Sequence, residues 1–203
     1  MLAPVLIPLV GLAACATGTA PASAQARASA PAPAGTAGAS PSTQAPDAAA
    51  SCSGRPTPAE TEGPYFKAGS PERASLVEAG LPGTSVVVSG RVLTLDCRSL
   101  AGVVLDFWQA DASGAYDNAG YRLRGHLTTD SDGRYSLQTI APGDYASRTQ
   151  HIHVKVEAPG RPVLTTQLYF PGDPGNARDG LYERALEMRL AKGEGSFDFV
   201  VEA

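Results

Sequence analysis

The chain has 203 residues, a net charge of −4 and 18% charged residues, with no basic run. That balance argues against a nucleic-acid partner. The hydrophobic fraction of 43% suffices for one packed domain, but the apolar residues are unevenly distributed along the chain.

The first fourteen residues, "MLAPVLIPLVGLAA", carry no charge. They are too short to span a bilayer as a mature helix and fit the apolar part of an export signal. "LAAC", ending at Cys15, resembles a bacterial lipobox, and "ASA" at 22–24 fits an ordinary signal-peptidase site. The lipobox is favoured because Cys15 directly follows the apolar run and a long polar stretch follows it. The lack of Lys or Arg near Met1 departs from both patterns. On this reading residues 1–15 form an export signal, Cys15 is lipidated, and the protein sits in a bacterial cell envelope, touching a membrane only through that lipid.

Residues 16–51 consist almost wholly of Ala, Pro, Ser, Thr and Gly. They have too little apolar bulk to offset their ordering entropy and read as a disordered tether. Residues 52–203 have the length of one ordinary domain. Either processing route removes Cys15 from the cysteine count. That leaves Cys52 and Cys97 as an expected disulfide in an oxidising compartment.

Strand signals recur at 84–95, 101–110, 121–129, 133–139, 150–157, 162–170 and 195–203. These stretches are rich in β-branched and aromatic residues and bounded by Gly, Pro, Asp and Asn. Asp132-Gly133 marks a hairpin turn. Only "LYERALEMRLAKG" (181–193) has helical spacing, with Tyr182, Leu186 and Leu190 on one face and Gly193 as a stop. The pattern predicts an all-β fold, an antiparallel β-sandwich with one short helix near the C-terminus. There is no internal repeat.

Two of the chain's three histidines stand at 151 and 153 on a predicted strand. Side chains at i and i+2 share a face, so the two imidazoles can share one metal ion. His-x-His alone more often marks a polar edge or a satisfied core pair. Here Tyr145 lies just past the turn Pro142-Gly143-Asp144, and Arg148 lies three residues before His151. A fixed cation beside a metal is costly unless an anion binds there. No carboxylate stands at a telling spacing for zinc or for a facial triad, and the mature cysteines are expected to be paired. A phenol, with its pKa near 10, needs a strong Lewis acid to bind as phenolate at neutral pH. The set therefore points to Fe(III). Tyr116, at the end of "DFWQADASGAY", repeats the strand–Gly–Tyr layout.

Five segments stand in order: "TEGPYF" (61–66), "DFWQADASGAYD" (106–117), "RGHLTTDSDGRYSLQTIAPGDY" (124–145), "RTQHIHVKV" (148–156) and "TQLYFPGD" (166–173). Through them the chain resembles the intradiol ring-cleavage dioxygenases, non-haem iron(III) enzymes that include protocatechuate 3,4-dioxygenase and catechol 1,2-dioxygenase, over nearly all of 57–203. The resemblance implies Tyr116, Tyr145, His151 and His153 as iron ligands, Arg148 and Gln167 as pocket residues, and Tyr65 as a substrate-pocket wall. It implies a small aromatic diol and O₂ as substrates and a muconate-type diacid as product. It also makes Tyr145 the phenol that leaves and takes up a proton as the diol binds, swinging on a short loop. Thr149 stands where relatives often have proline, and a homo-oligomer is left open. The rival reading is a non-catalytic transthyretin-like binding module, which would have no use for the four-ligand set. Tyr121, Tyr135 and Tyr169 read as core or cross-strand residues, Tyr182 as packing, His126 as exposed or structural, and Trp108 as a core anchor behind Tyr116.

Overall fold

The structure, a computed structural model, describes residues 52–202. The export signal, Cys15 and the tether through residue 51 lie outside the described residues. Nine strands form: β1 Ser85–Thr94, β2 Val104–Trp108, β3 Arg124–Thr128, β4 Arg134–Ile140, β5 His151–Glu157, β6 Leu164–Tyr169, β7 Arg189–Ala191, β8 Glu194–Ser196 and β9 Phe199–Val201. One sheet has the order β4-β1-β8-β7, with β9 also paired to β1, and the other has the order β3-β2-β5-β6. The second sheet is wholly antiparallel. In the first, β1 pairs antiparallel with β4 but parallel with β8 and β9, so the expected all-antiparallel pairing fails there.

Alternation decides which face of each strand is buried. Val86, Val88 and Val92 of β1, Leu137 of β4 and Phe199 of β9 join Leu105 and Phe107 of β2, Ile152, Val154 and Val156 of β5 and Leu168 of β6 in one apolar core. His151, His153 and Lys155 alternate with those β5 residues and so lie on the opposite face of the second sheet. An N-terminal arm, 57–76, crosses that outer face. Its backbone is fastened by Glu60 N to Thr165 O (2.8 Å), Arg73 N to His126 O (2.8 Å) and Leu76 N to Gln138 O (2.8 Å). Ser70 Oγ donates to Asp106 Oδ1 at 2.7 Å and lies 3.1 Å from His126 Nδ1, so His126 is structural, as expected. Lys155 pairs with Glu62 at 2.5 Å and sits over the Phe66 ring at 3.7 Å.

The expected helix at 181–193 does not form. The segment makes one 3-10 turn, Arg184–Leu186, and then enters β7. Leu186 and Met188 are the buried residues and Leu190 is 36% exposed, so burial follows a period of two rather than four. Met188 N donates to Tyr169 O at 3.0 Å, giving this backbone a partner on β6 in place of a helical one. The expected disulfide is present: Cys52 and Cys97 are bonded with their Cα atoms 5.8 Å apart, tying the chain just ahead of the arm to the turn after β1.

Candidate active site

The outer face of β5 carries the site. Trp108, His153 and Gln167 stand opposite one another across β2, β5 and β6, and His151 stands opposite Tyr169. Tyr116 and Tyr145 come from the loops after β2 and β4. Asp111 shapes the first loop, its Oδ1 accepting from Ser113 N (2.9 Å) and Ala115 N (3.0 Å). The two loops meet backbone to backbone. Gly143 N donates to Asp111 O at 2.8 Å. A Cβ on Gly114 would lie 2.1 Å from Asp144 O. Tyr145 and Arg148 close a tight turn, with Arg148 N donating to Tyr145 O (2.8 Å) and Tyr145 N to Arg148 O (3.3 Å); Ala146, within the turn, has φ +50°.

The four expected ligand residues converge. Ring centroids are 5.4 Å apart for Tyr116 and Tyr145, 5.9 Å for Tyr145 and His151, 4.8 Å for His151 and His153, and 6.4 Å for Tyr116 and His153. Tyr65 stacks on Tyr116 at 4.4 Å and meets Tyr145 edge-on at 5.7 Å. Burial, reinforced by the Arg148 charge, pushes the His151 pKa down to about 4. Burial, with the neighbouring His151 and Arg148 charges, also lowers that of His153. Both imidazoles are therefore neutral at neutral pH. His151 Nδ1 donates to Thr149 O at 2.6 Å, leaving the Nε2 lone pair 3.2 Å from His153 Nε2. Burial, with the charge of Tyr145, raises the Tyr116 phenol pKa, and its Oη is buried with no hydrogen-bond partner.

These observations test the fit of a metal. Two neutral imidazoles and a water-excluded, unpartnered phenol beside a second phenol suit a hard, strongly acidic cation such as ferric iron, which would bind phenolate at neutral pH. Among the described residues no group of three or more His, Cys, Asp and Glu could hold a metal.

Arg148 and Gln167 lie beside these residues and are bonded to each other. Arg148 Nη2 donates to Gln167 Oε1 (2.5 Å) and to Tyr169 Oη (3.2 Å), and Gln167 Nε2 donates to Thr61 O on the arm (3.0 Å). The sequence reading missed four contributors. Trp108, 1% exposed, is buried as expected, but it lies outside the main core cluster and stacks face to face on His153 at 4.8 Å, so it also backs the site. Tyr169 is buried as expected, but its hydroxyl belongs to the Arg148 network and donates to Leu181 O (2.8 Å). Arg124, 1% exposed, lies 6.0 Å from the Tyr116 ring centroid and donates to Tyr65 O (2.6 Å) and Asp117 O (3.1 Å). Asp179 pairs with Arg148 Nε at 2.9 Å.

On one outer face of a two-sheet fold, two histidines and two tyrosines thus form a candidate metal site, with a guanidinium beside it. The Dioxygenase_C family profile, described as "Dioxygenase", matches residues 61–194, and the chain belongs to that family. It is 33% identical over 169 residues to catechol 1,2-dioxygenase 2 of Acinetobacter lwoffii, covering 67% of this chain and 62% of that protein. It resembles the solved dioxygenase domain of a dioxygenase–carbohydrate-binding protein fusion from Streptomyces sp. SirexAA-E at 56% identity and TM-score 0.71, covering 73% of this chain and 99% of that one. Hydroxyquinol 1,2-dioxygenase from Pseudomonas putida DLL-E4 matches at 26% identity and TM-score 0.67, covering 74% and 68% respectively. The chain spans 62% of the length of that Acinetobacter lwoffii relative and about half of a 6-chlorohydroxyquinol 1,2-dioxygenase of Cupriavidus pinatubonensis.

Proposed function

We propose that the protein is an intradiol dioxygenase that uses Fe(III) and O₂ to cleave catechol-type diols between the two hydroxylated carbons. Both oxygen atoms end in the muconate-type diacid, so no outside reductant is needed. The observation that carries the reading is the convergence of Tyr116, Tyr145, His151 and His153 around facing imidazole nitrogens, with Arg148 beside them. Held by those four residues, ferric iron would acidify the diol hydroxyls and lend the ring carbanion character toward O₂.

The chain's own groups supply the rest. Tyr145 Oη, present as phenolate in the metal-loaded site, would take a diol proton, since a phenolate whose conjugate acid has a pKa near 10 is a competent base toward a second catechol hydroxyl. Tyr116 stays in place, stacked on Tyr65 and backed by the Arg124 cation. Tyr65 and Trp108 keep water from the ring and from His153. Arg148, its Nε and Nη2 engaged by Asp179, Gln167 and Tyr169, presents Nη1 to negative charge developing on the substrate's oxygens.

The sequence supports a place in the cell envelope, through an export signal and lipidation at Cys15. Loss of membrane partition in Cys15→Ser tests that. The function is tested by reconstitution with ferric iron. Tyrosinate charge transfer should colour the protein red-brown, and catechol should consume one O₂ per ring opened. A colourless, inactive protein would leave a transthyretin-like binding module as the reading.

A further inference from the structure

One carboxylate stands behind both halves of the site. Asp179 lies between β6 and the 3-10 turn and is 7% exposed. Its Oδ1 accepts from Arg148 Nε (3.0 Å) and Leu181 N (2.9 Å), and its Oδ2 from Arg148 Nε (2.9 Å) and Thr149 N (3.1 Å). Burial opposes its charge, but the N–H groups of Leu181, Arg148 and Thr149 outweigh that and hold the carboxyl below its usual range.

Each contact has a consequence a few ångströms away. Fixing Arg148 Nε aims the guanidinium so that Nη2 reaches Gln167 Oε1 and Tyr169 Oη, leaving Nη1 outside these hydrogen bonds. Fixing Thr149 N sets the plane of the chain at that residue, whose side chain is also tied to Asn176 Oδ1 at 2.8 Å. Thr149 O then accepts a hydrogen bond from His151 Nδ1–H and leaves Nε2 as the lone pair that faces His153. All the groups around Asp179 are donors, so an amide in its place would set an N–H against an N–H.

We propose that Asp179 is a positioning residue that sets Arg148 for charge stabilisation and, through the Thr149 main chain, sets His151 for the metal. The inference rests on the dioxygenase reading. It is tested with Asp179→Asn and Arg148→Ala, singly and together, in the iron-loaded protein. Two quantities are read: catechol turnover, and ferric-ion affinity by competition with a chelator. Removing outer partners of this kind costs about 10–100-fold in activity or metal affinity. Asp179→Asn should therefore lower turnover by about 10–100-fold in the native background, yet by less than about twofold once Arg148 is gone, because the two act as one unit. Ferric affinity should fall by about tenfold in both backgrounds, because the Thr149 route does not pass through Arg148. A purely structural role would cost turnover equally in both backgrounds. That result, native turnover in Asp179→Asn, or unchanged ferric affinity would each overturn the proposal. If Asp179→Asn does not fold, Asp179→Glu goes through the same cycle under the same criteria. If the unsubstituted protein opens no catechol, the dioxygenase reading fails, and the ferric-affinity measurement still decides the role of Asp179.

Discussion

The separation of the two phenols is set by bare backbone at Gly114, and a single methyl group tests this. In Gly114→Ala the new Cβ would lie 2.1 Å from Asp144 O, 3.1 Å from its carbonyl carbon and 3.5 Å from Tyr145 Cβ. Restoring an ordinary contact requires the Tyr145 loop to retreat by about 1 Å, a displacement that can cost about 10²-fold in rate when it reaches reacting groups. The residue also sits at φ +84°, where a side chain costs about 1–2 kcal/mol. Gly102→Ala is the matched control, because Gly102 has φ +70° and nothing within 4 Å of the methyl group it would gain. Both variants should lose about 1–2 kcal/mol in urea unfolding, with Gly114→Ala losing more. Only Gly114→Ala should lose turnover, by about 10²-fold, and shift the tyrosinate charge-transfer band. Wild-type turnover in Gly114→Ala, or an equal loss in Gly102→Ala, would refute the claim that this contact sets the site.

Cys97→Ser opens a disulfide spanning 45 residues. It should cost about 4 kcal/mol and lower Tm by about 8–16 °C in non-reducing calorimetry; an unchanged Tm would show that the bond contributes nothing. In metal-stripped protein, the depressed histidine pKa values make the unfolded chain bind more protons than the folded one. Stability is therefore present above pH 6.5 and lost as pH falls from 6.5 towards 4. For His151 alone the loss between pH 7 and 5 is about 2 kcal/mol, read by urea unfolding at the two pH values, and a flat profile would contradict it. Glu60 lies within the electrostatic reach of two further carboxylates, Asp179 and Glu183, as well as of Arg148. Catechols without a ring carboxylate should thus outpace protocatechuate by about tenfold at low salt, with the gap closing as salt rises. A faster protocatechuate at low salt would count against this.

What the sequence made legible was local. A phenol just past a Gly turn, a His-x-His alternation and a nearby arginine are each contained in a few residues, and the structure brings all of them together. The rest depended on contacts the chain does not announce. Asp179 stands in the turn-rich stretch "PGDPGNARDG" and meets Arg148 across 31 residues of sequence. Trp108 follows Phe107, and two consecutive large apolar residues hide which one faces the core; Phe107 does, and Trp108 faces the site. In "LYERALEMRL" the helical spacing of Tyr182, Leu186 and Leu190 competed with the alternation of Leu186 and Met188, and the free edge of β6 decided for the extended form. The parallel pairing of β1 with β8 and β9 joins strands about a hundred residues apart, which no short-range pattern encodes.

The double hydrogen bond between Tyr145 and Arg148, together with the Gly143–Asp111 bond, bears on how fast a diol can enter. The backbone on both sides of Tyr145 is pinned, so any departure of the phenol would go by rotation about its own side-chain bonds rather than on the swinging loop that the resemblance implied. Side-chain rotations of exposed residues take picoseconds to nanoseconds, whereas collective and lid motions often take microseconds to milliseconds. If the protein takes a diol as proposed, chelation should need no loop opening, and a chelation rate that fell as solvent viscosity rose would count against this.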